Sequence, residues 1–227
     1  MSPDEQKRAA GEAAAALIED GMTVGLGTGS TAAWFVKALA VGGLSVRGVP
    51  TSEATAALAR ASGIALADLD AADPIDITVD GADEIGPRLA LIKGGGAALL
   101  REKLVWSASK RCVVIADASK AQGGFGKFPL PIEVTSFGHT TTAKRISAAA
   151  AACGVAKPPV LRVSGGVPVR TDGGNLIYDL SCEVIDDPMA LAVVLKGLTG
   201  VVEHGLFLGL AERALIGTDS GVTTLYP

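Results

Sequence analysis

Residues 22–39 read Met22-Thr23-Val24-Gly25-Leu26-Gly27-Thr28-Gly29-Ser30-Thr31-Ala32-Ala33-Trp34-Phe35-Val36-Lys37-Ala38-Leu39. Met22–Leu26 is a short apolar run that predicts a strand, Gly27–Ser30 a tight turn, and Thr31–Leu39 a helix. Strand, glycine turn and helix make the first half of a βαβ unit. The same order recurs on either side. Asp4–Glu19 is an Ala-rich helix with Asp4 and Glu5 in its first turn, where the helix dipole favours acids, and Asp20-Gly21 stops it. Leu44–Val49, Ile75–Val79 and Cys112–Ala116 predict further strands. Ser52–Ala61, with Ser52 as N-cap, and Ala97–Ser107 predict further helices. Close alternation of strand and helix places the chain in the α/β class, around a mostly parallel sheet with helices on both faces.

The texture changes after Phe125, where Pro129, Pro131, Pro158, Pro159 and Pro168 punctuate the chain. Leu130–Val134 predicts a strand, and Thr140–Ala152 a helix that Gly154 closes. Val160–Val163, Pro168–Arg170 and Leu176–Leu180 read as short strands, the last two joined by the turn Thr171-Asp172-Gly173-Gly174-Asn175. Pro188–Leu198 predicts a last helix. This middle stretch reads as a small α+β domain. The tail from Val201 is strand-like again, with Ala214–Gly217 and Gly221–Tyr226, and is expected to return to the first sheet. The expected division is 1–127 with 200–227 as the main domain and 128–199 as the small one.

Composition narrows the function classes. A chain of 227 residues that is 48% hydrophobic and 19% charged folds around its own core and is not disordered. A formal charge of −4 argues against general nucleic-acid affinity, yet leaves room for an anionic ligand held by backbone amides and a few cations. Cys112, Cys153 and Cys182 are an odd number without a CxxC spacing, so neither a disulfide framework nor a zinc site is expected. The simplest compartment is a reducing one, the cytoplasm. The N-terminus has Asp4, Glu5 and Glu12 and no apolar core of a signal peptide, and no apolar run approaches membrane length.

Three stretches carry chemistry. Gly25-Leu26-Gly27-Thr28-Gly29-Ser30-Thr31 joins strand to helix, so its amides, the helix N-terminus and the Ser30 and Thr31 hydroxyls can cradle a phosphate. It lacks the Gly-Lys-Ser/Thr of a Walker loop and the third glycine of a dinucleotide loop, which favours a simple phosphate ester. The bland reading is a glycine turn with a helix cap. Asp80-Gly81-Ala82-Asp83-Glu84 follows an inner strand at its carboxyl end, where open α/β sheets bind ligands. Three close carboxylates repel one another unless a cation or a function holds them; a solvated turn or a magnesium site are the other readings. Lys93-Gly94-Gly95-Gly96 offers a nest of N–H donors beside a cation, followed by a helix bearing Glu102. Glu102 among apolar neighbours suits a general base; as an exposed residue it would pair with Arg101 or Lys103 instead. Lys120, just past a strand end, is either a phosphate contact or a surface lysine. His139 and His204 lie outside these stretches, so a Ser-His-Asp or Cys-His system has little support. Phosphate donors, carboxylates and lysines together suit proton transfer on a sugar phosphate.

In order and spacing, Gly27-Thr28-Gly29-Ser30-Thr31, Thr51-Ser52-Glu53-Ala54-Thr55, Asp80-Gly81-Ala82-Asp83-Glu84 and Lys93-Gly94-Gly95-Gly96 with Arg101-Glu102-Lys103 resemble the ribose-5-phosphate isomerases of the A type. Thr171–Asn175 and Gly200–Phe207 also look like that family, so the likeness spans almost the whole chain. It implies a Rossmann-like main domain and a smaller ferredoxin-like α+β domain. It also implies a metal-free, cofactor-free enzyme interconverting D-ribose 5-phosphate and D-ribulose 5-phosphate through an enediolate. By the same likeness Glu102 shuttles the C1/C2 proton, Asp80 serves ring opening, Lys93 steadies the oxyanion and Asp83 holds substrate hydroxyls. Thr28, Gly29, Ser30 and Thr31 take the phosphate, with Lys7 as a looser match. Gly81, Ala82, the Gly94, Gly95 and Gly96 amides and Lys120 meet the substrate. The likeness further implies a homodimer or a dimer of dimers.

Rival readings come from other classes. A sugar-phosphate sensor without catalysis would keep the phosphate loop but has no need of Glu102 and Lys93 together. A coenzyme A transferase needs room for a larger ligand. A dinucleotide-dependent dehydrogenase is disfavoured by the missing third glycine.

Overall fold

The computed structural model describes residues 1–72, 74–121 and 123–227. Its contacts gather into two compact units, one of residues 1–82, 101–122 and 209–227 and one of residues 83–100 and 123–208. The sequence reading divides the chain at 127/128 and 199/200 instead. Residues 83–100 and 200–208 group with the second unit because their short strands pair there, as described below.

The larger unit carries a seven-stranded sheet in the order 221–225, 213–218, 112–117, 77–81, 23–26, 47–50, 65–66. Every neighbouring pair is parallel except the last hairpin, Arg213–Thr218 with Gly221–Leu225. Its helices are α1 (Pro3–Ala15), α2 (Ser30–Val41), α3 (Glu53–Ala61) and α4 (Leu99–Ser107), the last belonging to this unit from Arg101 onward. The side-chain period of two sorts the strand residues between the faces. Val24, Leu26, Ile77, Val79, Val113 and Ile115 turn to one side and pack against Phe35, Val36 and Leu39 of α2 and Ala10 and Ala14 of α1. Each fully buried side chain of this size contributes roughly 1.5–3 kcal/mol. Gly25 and Thr78 turn to the other side, under α4: a Cβ on Gly25 would stand 1.8 Å from Thr78 Oγ1 and 2.8 Å from Val105 Cγ1. Gly11 of α1 has the same meaning for α2, since a Cβ there would lie 2.7 Å from the Phe35 amide nitrogen. The start of α1 is fixed by a capping box: Ser2 Oγ accepts from the Glu5 amide and the Glu5 carboxylate accepts from the Ser2 amide. Ser52 caps α3 as expected, accepting from Thr55 N–H.

The smaller unit has a four-stranded antiparallel sheet in the order 201–204, 130–134, 176–180, 160–161. Helices α5 (His139–Ala151) and α6 (Pro188–Lys196) share a core with it through Ile146, Leu191, Leu195, Leu130, Ile132 and Val134. Glu84–Ile85, Leu91–Ile92 and Leu206–Phe207 form a separate three-stranded antiparallel sheet.

Several sequence expectations shift. The tail rejoins the parallel sheet at Arg213; Val201–His204 instead pairs with Leu130–Val134 in the smaller unit. The expected hairpin at 168–180 reduces to one bridge, Arg170 to Leu176, across the Thr171–Asn175 turn. A tighter hairpin forms earlier, Val163-Ser164 with Val167-Pro168, because Gly165 and Gly166 accept φ of 58° and 80°. The run expected at 160–163 is broken at Arg162. Helix α4 starts at Leu99 rather than Ala97, since Ala97 has φ 58° and donates back to Gly94 O. Among the described residues no helix is long and apolar enough to cross a membrane.

Candidate active site

In the larger unit the parallel strands 23–26 and 77–81 end side by side, and their following turns meet. Gly27 N–H donates to Val79 O at 3.0 Å, and a Cβ on Gly27 would stand 2.2 Å from Asp80 Oδ1. Only glycine leaves room for that approach. Asp80 is fully buried. Its Oδ1 accepts from the Thr28 amide at 3.0 Å and the Gly81 amide at 2.7 Å, and its Oδ2 from Trp106 Nε1 at 3.3 Å. These donors compensate the burial of a carboxylate.

The Thr28 hydroxyl joins a set of buried hydroxyls. It lies 2.7 Å from Thr51 Oγ1, 2.8 Å from Ser52 Oγ and 3.2 Å from Thr55 Oγ1. Thr51 and Thr55 in turn donate to the Leu26 and Gly27 carbonyls. The sequence reading gives Ser52 as a helix cap and Thr51–Thr55 as a family motif but assigns their hydroxyls no place in the site; the signal was the Ser-x-x-Thr spacing at a helix start directly after a strand. Gly29 precedes α2 with φ 109°, and Gly29 and Ser30 are exposed while Thr31 is half-buried in the first turn.

Glu102 is 4% exposed and sits in the first turn of α4. The reading of Glu102 as an exposed helix residue is therefore corrected by its burial, and Arg101 reaches Glu53 at 2.8 Å. Trp106, which binds Asp80, lies four residues on, on the same helix face as Glu102. Lys120 is half-buried in the single 3-10 turn after strand Cys112–Asp117, and Lys7 is half-buried on α1. Cys112 is a buried thiol whose pKa burial pushes up to about 12, so it stays protonated at neutral pH.

In the smaller unit Asp83 Oδ2 accepts from the Gly95 amide at 2.7 Å, and the Asp83 amide donates to Ile92 O. Gly95 and Gly96 are exposed; Gly94, at φ 102°, is buried. Lys93 is buried, its Nζ 5.5 Å from the centre of the Phe207 ring and its amide donating to Gly205 O. A Cβ on Gly205 would stand 2.2 Å from Lys93 O. Glu84 holds three successive amides, those of Gly126, Lys127 and Phe128. The three carboxylates at 80–84 thus do not face one another unrelieved: each is met by N–H donors of its own unit. Sequence reasoning also gave no role to Arg162 and Asp179. Arg162 Nη1 donates to Gly94 O at 2.9 Å and Gly95 O at 3.0 Å, while Nε and Nη2 clasp the Asp179 carboxylate. Among the described residues no group of three or more His, Cys, Asp or Glu side chains is arranged to hold a metal.

Residues 47–221 match the sequence pattern of the family described as ribose 5-phosphate isomerase A (phosphoriboisomerase A). Ribose-5-phosphate isomerase A of Caulobacter vibrioides is 66% identical over 228 residues, covering all of both chains. Among solved structures, ribose 5 phosphate isomerase A from Neisseria gonorrhoeae superposes with a TM-score of 0.92 at 35% identity, covering 100% of this chain and 98% of that one. A D-ribose-5-phosphate isomerase in complex with phospho-erythronic acid gives 0.93 at 38% identity, with both chains fully covered.

Proposed function

The chain belongs to the ribose-5-phosphate isomerase A family, and from that premise we propose that it interconverts D-ribose 5-phosphate and D-ribulose 5-phosphate through an enediolate. One observation carries the mechanism: two buried carboxylates, Glu102 and Asp80, are tied to one helix, Glu102 in its first turn and Asp80 through Trp106 one turn on.

Asp80 takes the proton of the anomeric C1 hydroxyl and gives it to the ring oxygen O4 as the C1–O4 bond breaks, opening ribose 5-phosphate to its aldehyde. Glu102 removes the proton from C2. The electron pair moves through C1–C2 to O1, giving the enediolate, and Lys93 steadies that negative charge. The proton of the C2 hydroxyl then passes to O1, Glu102 returns its proton to C1 as the C2 carbonyl forms, and the ketose results. Asp83 and the Gly94–Gly96 amides hold the substrate, with Gly81, Ala82 and Lys120 in contact with it. Thr28, Gly29, Ser30 and Thr31, with Lys7, receive the phosphate. Thr28 suits that task because its hydroxyl is already oriented by three others. A sensor without catalysis would have no use for a glutamate buried at a helix start.

The enzyme acts in the cytoplasm, as a homodimer or dimer of dimers. The three cysteines, all free thiols, fit a reducing compartment. The decisive test is ribulose 5-phosphate formation by wild type and Glu102→Gln. We expect turnover in wild type and a loss of about 10³-fold in the variant, within the usual range for one positioned acid–base group. Phospho-erythronic acid should still bind the variant. Near-normal turnover by Glu102→Gln would remove Glu102 from the mechanism.

A further inference from the structure

We propose that Arg162, clamped by Asp179, is a positioning residue that sets the direction of the Gly95 and Gly96 amides and, through Gly95, the orientation of the Asp83 carboxylate. This rests on the reading that Asp83 and the glycine loop hold the substrate.

The argument is one of peptide geometry. Arg162 Nη1 donates to the carbonyls of both Gly94 and Gly95. A trans peptide is planar, so a carbonyl fixed in one direction fixes the next residue's N–H in the opposite one. Holding Gly94 O therefore aims the Gly95 N–H, and that N–H is the one that meets Asp83 Oδ2 at 2.7 Å. Holding Gly95 O aims the Gly96 N–H away from Arg162, and Gly96 is exposed. Glycines do not hold such a direction by themselves, because nothing in the residue restricts their backbone.

The guanidinium is in turn held from behind. Its Nε donates to Asp179 Oδ2 at 2.8 Å and its Nη2 to Asp179 Oδ1, the paired geometry that a planar fork allows. Asp179 stands in strand Leu176–Leu180, paired on both sides. Arg162 itself donates its amide to Ile177 O, and its carbonyl accepts from Val169 N–H. The side chain is only 16% exposed. The break of the strand run at Arg162 is the local trace of this arrangement.

The test compares wild type, Arg162→Met, Arg162→Lys, Asp179→Asn and Asp83→Asn, with Arg170→Met as control. Arg170 lies in the same unit, and its exposed side chain donates to Gly174 O of its own turn. We expect Arg162→Met to lower kcat/KM about 100-fold, the scale of a misplaced binding group. Its Kd for phospho-erythronic acid should rise in parallel. Arg162→Lys, which keeps the charge but not the fork, should recover part of the loss. Arg170→Met should behave as wild type. A purely structural role would lower the melting temperature while leaving kcat/KM per folded chain and Kd unchanged, and that result would overturn the inference. If Arg162→Met does not fold, Asp179→Asn carries the test: it should fold and lose about 10-fold in kcat/KM, since half of the clamp's charge is gone. Wild-type kcat/KM in that variant would overturn the inference too. If Asp83→Asn loses activity while the Arg162 and Asp179 variants keep it, only this inference falls. If Asp83→Asn is itself fully active, the reading of Asp83 falls and takes the inference with it.

Discussion

Asp80 and Asp83 stand three positions apart in the chain, and the two units hold them by different means. Asp80 is fixed within regular structure. Its strand, the turn that follows the parallel strand beside it and helix α4 supply every donor described above. The Asp83 carboxylate is met by the amide of a glycine loop, and that loop is held by Ala97 N–H at Gly94 O together with a side chain 67 and 68 residues further on. A sheet spreads the cost of positioning over many ladder hydrogen bonds. A clamp concentrates it in one guanidinium. Substitutions in the first region should therefore cost stability and activity together, and in the second activity alone.

The glycines test this most sharply. A Cβ on Gly27 would stand 2.4 Å from Asp80 Cγ and 2.5 Å from Asp80 Cα. A backbone atom cannot swing away, so Gly27→Ala should cost about 3 kcal/mol of stability, the upper end for overpacking, and most of the activity. The nearest atoms to a Cβ on Gly95 are those of the Asp83 carboxylate, at 2.5 Å from Oδ1. That end of a side chain can move. Gly95→Ala should keep stability within about 0.5 kcal/mol and still lose about 10-fold in kcat/KM. Denaturant midpoints and kinetics on the same samples read both quantities. Equal losses of stability in the two variants would break the comparison.

Two glutamates of the smaller unit sharpen it by a lesser amount. Both Glu84 oxygens accept from backbone amides, those of Gly126, Lys127 and Phe128. Glu84→Gln turns one acceptor into a donor facing donors, and should destabilise by about 1–3 kcal/mol. Glu133 is as buried, but only its Oε1 is used, by Thr171 and Asn175; Oε2 has no hydrogen-bond partner among the described residues. Its register partner across the sheet is another acid, Glu203. A carboxylate that is half satisfied and faces a like charge adds little. Glu133→Gln should therefore raise the melting temperature, by about 3 °C if 1 kcal/mol is gained at this chain size. A fall in both variants would mean that Glu133 is satisfied in a way its neighbours do not reveal.

The same contrast decides what could be read in the sequence. The 22–39 stretch, Asp80 and the parallel sheet were legible because strand period, turn glycines and helix caps are all local signals; Ser52 as the α3 cap is an example. The family likeness rests on motifs that are also local, and family and fold both stand. Arg162 was not legible, because a bond across 68 residues leaves no mark on periodicity or spacing. The pairing of Val201–His204 was missed for the same reason: its apolar run says strand, and only the partner, Leu130–Val134, says which sheet. The burial of Glu102 lay between these cases. Its helix was evident, but not the face it presents.

The smallest effect concerns the other end of the larger unit's sheet. Asp76 precedes strand Ile77–Gly81 and accepts from the Thr23 amide and from Lys110 Nζ, both at 2.9 Å. The Thr23 hydrogen bond first, and the Lys110 contact second, hold its pKa below the ordinary 3.8. A carboxyl whose folded pKa is depressed adds stability at every pH above its unfolded value, and that contribution is lost as pH falls through the folded one. The side chain is partly exposed, so solvent weakens the effect. Asp76→Asn should lower the melting temperature at pH 7 by about 1–2 °C, and the gap to wild type should close below the ordinary carboxylate range. Added salt should shrink the Lys110 share and spare the Thr23 share, because only the former is an ion pair open to screening. If regular structure fixes this unit through its backbone, most of the gap survives at high salt. A gap that salt abolishes would assign the junction to the lysine, and the larger unit would then depend on a side-chain clamp as the smaller one does.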